Sequence, residues 1–307
     1  MAQSCKDKVG LLDVMLKAEG EDALQFLQGQ FSNDLGDLGE GDCLYGLWLN
    51  RKGKILADSY VLRTGEERFA ILSENGERDV VHDRLDEYII MDDVELAVNG
   101  ESLPLWVIDK RGEESALGLL GMSIPKVGGF VSSEGAIAFW GQDGYLRIVF
   151  EEVDSDRVKR FAEEIAVDRI QVLEAPGLTI ENWKSGIFEV GFDILDTDLP
   201  QEVGLGERAV SYNKGCYLGQ EVMARLHAIG RVRREMVCVE LYPESEFELG
   251  SIVFDAEEKK RGELRRSLCE GGKRWGSAIL NLQAEGSLWV KDTENERREL
   301  KVWKRGD

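Results

Sequence analysis

The stretch from Ser211 to Arg225 reads SYNKGCYLGQEVMAR and gathers several chemically capable residue types into fifteen positions. Gly215 and Gly219 bracket Cys216, and glycine lets a backbone turn sharply or approach a ligand closely on either side of the thiol. Lys214 and the arginines that follow are suited to stabilise a thiolate, the reactive form of cysteine. Gln220 and Glu221 add an amide and a carboxylate able to read the donors and acceptors of a heterocycle. A free cysteine is equally at home as an inert, small core residue, and the residues alone leave both readings open.

Charge singles out the same region. Between Lys214 and Arg234, five cations (Lys214, Arg225, Arg231, Arg233 and Arg234) stand against one acid, Glu221, a local +4 inside a chain of net charge −21. Such a spot suits an anion; the alternative is that these arginines pair with neighbouring acids, which contributes little at a surface. The overall negative field repels nucleic acid, so direct DNA binding is not expected.

Five cysteines, Cys5, Cys43, Cys216, Cys238 and Cys269, are scattered without a Cys-x-x-Cys pair, and only His82 and His227 could add imidazole ligands. Neither a disulfide framework nor a zinc site is expected, and no metal held by the chain itself. Apolar residues make up 43% and charged residues 32% of the 307, the balance of a globular protein. No run approaches the ~18 apolar residues of a membrane span. With no export signal legible at the N-terminus, a cytoplasmic location is expected.

The elements that must position these residues read as follows. Residues 20–31 place Leu24, Leu27 and Phe31 on one helical face. Strands are expected at 44–49 and 54–62 around an Asn50-Arg51-Lys52-Gly53 reversal, and at 68–72 after it. A helix over 76–90 presents Val81, Leu85, Tyr88 and Ile89, and a strand follows at 94–98. Strands at 105–108, 136–140 and 145–150 then lead to a helix over 154–166. Beyond Arg234 the runs 236–241, 251–254, 275–280, 288–290 and 300–303 have the texture of a small antiparallel barrel. The expected class is α+β: two related α/β halves with a possible sub-boundary near 100 over residues 1–235, then a β-barrel over 236–307. No residue-level repeat demonstrates a duplication.

The string KGCYLGQE at 214–221, with Ala224-Arg225 after it, resembles the signature of the YgfZ family, folate-binding relatives of the glycine-cleavage T-protein, an aminomethyltransferase. GEDALQFLQGQFSNDL at 20–35, LNRKGKILADSYVLR at 49–63 and LPQEVGL at 199–205 are similar to further stretches of those families, so the likeness runs from about residue 10 to 240.

The resemblance implies a T-protein-like folate-binding body, tetrahydrofolate as a non-covalent cofactor, and a role in assembling or repairing iron–sulfur enzymes, including tRNA-modifying ones. It implies Cys216 as the functional thiol, with Lys214, Gly215, Tyr217, Gly219, Gln220, Glu221 and Arg225 shaping its surroundings. Asp58 corresponds to the T-protein carboxylate beside the reacting folate nitrogen, Arg234 to a folate-contacting arginine, and Trp183 falls in the segment lining the pterin. Lys184 stands where T-proteins hold the pterin with a glutamate, and an ammonium has no acceptor to offer. Ala57 halves an acidic pair that T-proteins carry. Two alternatives accompany this reading: a true aminomethyltransferase needing a lipoyl-carrying partner, and a non-catalytic folate sensor or scaffold.

Overall fold

A computed structural model describes residues 10–75, 78–173, 177–281 and 286–303. Cys5, the start of the helix expected over 76–90, and residues 304–307 lie outside them. Contact density divides the chain into one unit of Met1–Leu49, Leu56–Glu174 and Asn213–Leu218 and another of Asn50–Ile55, Ala175–Tyr212 and Gly219–Asp307.

The first unit carries β1 (Gly10–Leu12), β2 (Val14–Glu19), α1 (Ala23–Gln30), β3 (Cys43–Leu49), β4 (Ile55–Gly65), β5 (Arg68–Ser73), α2 (Arg78–Asp86) and β6 (Glu95–Val98). It continues with β7 (Leu103–Ile108), α3 (Glu113–Leu119), β8 (Phe130–Ser133), β9 (Ala136–Trp140), β10 (Leu146–Phe150) and α4 (Asp156–Val167). Two five-stranded sheets result, in the orders β3-β4-β5-β2-β6 and β8-β9-β10-β7-β1. Each is a strand, a helix, a three-strand run and a second helix, with the first strand lying beside the last of the run. The closing edge of the first sheet is β6, which follows its half; in the second it is β1, which precedes everything. Val172 nevertheless bridges to Ile108 of β7, at the place in the second half that β6 fills in the first. The two related halves are therefore legible in backbone topology, where the residues show no repeat.

Each half closes its own core. In the first, Phe31 and Trp48 meet at 4.8 Å beneath α1; in the second, Trp106, Phe150 and Phe161 meet mutually at 5.3 Å. The second helix of this half, α4, is capped by Ser155, whose hydroxyl accepts from the Val158 amide, and it buries Val158, Phe161 and Ile165 at helical spacing. Gly20 precedes α1 with φ +142°, where a Cβ would sit 1.9 Å from the Asp93 carbonyl oxygen, so no other residue fits. The halves are joined inside the unit by Arg147 of β10, fully engaged by Glu74 at 3.0 Å and by Asp143, and by the Tyr60 hydroxyl, which accepts from the Gln142 amide.

The second unit holds α5 (Gly177–Lys184), α6 (Gln220–Ile229), β11 (Arg234–Leu241), β12 (Ile252–Phe254), β13 (Lys260–Glu270), β14 (Lys273–Asn281), β15 (Leu288–Lys291) and β16 (Arg297–Val302). The six strands close into a barrel in the order β11-β14-β13-β12-β15-β16 around Val239, Leu241, Val253, Leu264, Ala278 and Val290. The expected class, α+β with a C-terminal antiparallel barrel, is borne out, and β11 begins at Arg234. Residues 177–212, read from the sequence with the first 235 positions, instead share contacts with the barrel. Buried polar links are the physical reason: Asp193 accepts from the Trp183 indole at 2.8 Å and from Ser277 at 2.6 Å, and Asp198 accepts from Arg265 at 3.0 Å.

Candidate functional site

Cys216 sits exposed on the segment between Asn213 and Leu218, in the first unit. That segment is pinned to the end of α1 from both sides of the thiol. The Lys214 ammonium, buried, donates to the carbonyls of Gln28 at 2.7 Å, Phe31 at 2.9 Å and Asn33 at 2.7 Å, and the Leu218 amide donates to the Gly29 carbonyl at 3.2 Å. Carbonyls at a helix C-terminus lack intrahelical partners and carry the negative end of the helix dipole, so an ammonium there satisfies both. The buried Tyr217 ring lies 5.2 Å from the same ammonium. Burial pushes the Lys214 pKa down to about 8.

From this anchor a run of hydrogen bonds leads to Asp58. Asn33, whose carbonyl holds Lys214, donates its amide to the Tyr45 carbonyl at 2.9 Å, and the Tyr45 hydroxyl donates to Asp58 Oδ2 at 2.8 Å. Tyr45 on β3 and Asp58 on β4 thus meet across a strand pair. Burial, followed by the adjoining Asp58 charge, raises the Tyr45 phenol well above its ordinary pKa, which keeps it a donor to the carboxylate. Ser73 fixes the strand from behind, donating to the Asp58 carbonyl at 2.7 Å. Asp58 itself is half-buried. Tyr45, Asn33 and Gln28 were not singled out from the sequence: a tyrosine inside an apolar strand run reads as core, and only the cross-strand pairing brings its hydroxyl to Asp58.

Two of the other thiols differ. Cys43 and Cys238 are buried, and burial pushes each up to about 12. Cys269 is exposed on β13.

In the second unit the residues read as cofactor contacts are engaged elsewhere. Trp183 is 1% exposed and offers no face to a ligand; it packs as core, not as a pocket wall. Lys184, at the end of α5, sets its ammonium 3.7 Å from the ring centre of Trp275 and 5.4 Å from that of Trp303, a cation held against indole faces. Arg234 forks onto Glu202, with contacts of 3.0 and 2.8 Å, and reaches Asp198 at 3.4 Å. Its charge is met by these acidic neighbours. With Lys214 also engaged, the cationic spot reduces to Arg225, Arg231 and Arg233, which are exposed and have no ion pair among the described residues.

Of the two glycines around the thiol, Gly219 caps α6 with φ +88°, a backbone that favours glycine. Gly215 has open space where a side chain would go, so the bracket is needed on one side only. Gln220 and Glu221 form the first turn of α6, where an acid suits the helix dipole. His227 stacks on Tyr212 at 3.9 Å. No group of three or more candidate metal ligands occurs among the described residues, and no described helix is long and apolar enough to cross a membrane.

Comparison with known proteins points the same way as the cysteine motif. Residues 2–104 match the GCVT N-terminal domain. Curated relatives include "tRNA-modifying protein YgfZ" of Klebsiella pneumoniae, 27% identical over 224 residues covering 71% of this chain and 66% of that protein. Another is "tRNA-modifying protein YgfZ" of Pectobacterium atrosepticum, 23% identical over 288 residues covering 89% of this chain and 83% of that one. The chain is similar to YgfZ proteins. Its match spans just under two thirds of the Klebsiella YgfZ protein. The fold it shares is that of the glycine cleavage system aminomethyltransferase T from Bartonella henselae, with a TM-score of 0.79 at 16% identity over 98% of this chain and 87% of that one. The resemblance to YgfZ read from the cysteine motif is thereby borne out, and so is the T-protein-like fold.

Proposed function

We propose that this chain binds a reduced folate and, in the cytoplasm, maintains iron–sulfur enzymes, tRNA-modifying ones among them, through the Cys216 thiol. The observation that carries the reading is the pinned and open setting of Cys216. Cys216 is exposed on a segment tied at Lys214 and Leu218 to the end of α1, whereas Cys43 and Cys238 are buried. A thiol held on a fixed segment and open to a partner fits chemistry on a client protein. The curated YgfZ relatives, named as tRNA-modifying, support the link to tRNA modification, and the GCVT match supports the cofactor. Titration with tetrahydrofolate is expected to saturate at one site per chain. In a strain lacking the gene, Cys216→Ala is expected to leave iron–sulfur tRNA modification unrestored while the wild type restores it. Full rescue by Cys216→Ala removes the thiol from the function and leaves a folate-binding scaffold.

Asp58 favours one second reading, aminomethyl transfer to folate with a lipoyl-carrying partner, because its carboxylate and the Tyr45 donor keep acid–base chemistry available. Methylene-tetrahydrofolate formed from an aminomethyl-lipoyl donor, and lost in Asp58→Asn, would establish it. Lys184, engaged by Trp275 and Trp303 in place of a pterin-holding carboxylate, argues for a negative result.

A further inference from the structure

The second unit contains a cleft of about 1000 Å³ whose lining draws on the α5–β11 connection, the end of α6 and the barrel. That volume is at the upper end for small-molecule sites. Gly230 ends α6 with φ +64°, so the chain leaves the helix there and presents Arg231 and Arg233 at the cleft. Both are exposed and without an ion pair among the described residues, in a chain of net charge −21. Acid is abundant, yet none is paired with them. Nearby Arg234, by contrast, is satisfied by Glu202 and Asp198.

The rest of the lining is of two kinds. Phe188, Val203 and Met236 form an apolar floor. Gln201 also lines the cleft, its Nε2 donating to the Tyr212 hydroxyl and the Met223 sulfur and its Oε1 closed off from solvent. Glu235, also lining the cleft, is exposed and adds a carboxylate. A simple anion would meet Arg231 and Arg233 but would be repelled by Glu235. A ligand that answers every wall carries acid groups for the guanidiniums, an apolar body for the floor, and N–H donors for Glu235.

We propose that this cleft binds a small organic anion: an apolar body with N–H groups, bearing phosphate or carboxylate. The site is separate from Cys216 and Asp58 in its residues, and it goes beyond the folate reading without depending on it.

Isothermal titration of the full chain with AMP as a phosphate probe and N-benzoyl-glutamate as a carboxylate probe tests this, run with and without tetrahydrofolate. At least one probe is expected to bind, and Arg231→Ala/Arg233→Ala to weaken it by about tenfold or more, each tenfold being 1.4 kcal/mol. Arg111→Ala, which removes an exposed charge outside the cleft, is expected to change nothing. Glu235→Gln is expected to weaken the N–H-bearing probe while strengthening inorganic phosphate, a split that general charge effects do not produce. Which probe binds identifies the acid group. The proposal is overturned if neither binds more tightly than about 1 mM, or if the double arginine variant binds as the wild type does. Tetrahydrofolate failing to bind while a probe binds would sink the folate reading and leave the cleft standing.

Discussion

The ammonium of Lys214 meets three carbonyls at the end of α1, a use that no local feature of KGCYLGQE announces, because Gln28 to Asn33 lie about 180 positions upstream. Its proximity to Cys216 in sequence suggests thiolate stabilisation; its surroundings give it a structural task that positions the same cysteine. Burial lowers its pKa from 10.5 to about 8. Between those values the unfolded chain holds a proton that the folded chain has released, so raising the pH favours the folded state, and the burial penalty is fully present only below the lower value. The stability of the wild type relative to Lys214→Met is therefore expected to rise by about 1–3 kcal/mol from pH ~8 to pH ~10. Urea midpoints of both proteins across that range measure it; a difference that shrinks with pH would contradict the assignment.

Among the elements, the glycines of the cysteine motif separate cleanly. Gly219 has φ +88° at the start of α6, and an alanine there is expected to cost about 1–2 kcal/mol. Gly215 has nothing within 4 Å of the point where a Cβ would stand, and Gly215→Ala is expected to stay within about 0.5 kcal/mol. Thermal melts of the two single variants compare them directly; equal losses would mean that the motif's glycines serve a ligand or partner rather than the backbone. Among the strands of the two sheets, periodicity found β3 to β7, β9 and β10 to within a few residues and did not find β1, β2 or β8. It missed β13, KRGELRRSLCE, which holds two leucines among charges. Arg265 of β13 is 2% exposed against Asp198, so its burial depends on a partner 67 positions away. It also missed α5 and α6, both of them short, with few apolar residues at regular spacing.

At the scale of the whole molecule, the second unit is built on buried charge as much as on its apolar barrel core. Asp198 is shared between Arg265 at 3.0 Å and Arg234 at 3.4 Å, and Asp193 accepts from Trp183, Ser277 and the Glu189 amide. Removing Arg265 leaves the buried Asp198 with Arg234 alone, at the longer distance of 3.4 Å. Arg265→Met is expected to destabilise by about 3 kcal/mol. Asp198→Asn in the same background is expected to add less than it costs alone, since the lost partner no longer needs an anion. A double-mutant cycle in denaturant reads the coupling, and strict additivity would show that the pair contributes nothing specific to this unit.

The residues by themselves determined the family likeness, the α+β class, the barrel and the cysteine that stands out, because short-range pattern and an unbroken motif survive in one dimension. Tertiary structure alone decided which charges are available. It committed Lys214 to backbone carbonyls, Arg234 to Glu202, Lys184 to two indoles and Trp183 to the core, and it joined Tyr45 to Asp58. Each of these is a contact between residues distant in the chain or on neighbouring strands, and the energy of a charge depends on what surrounds it after folding, not on its neighbours in sequence.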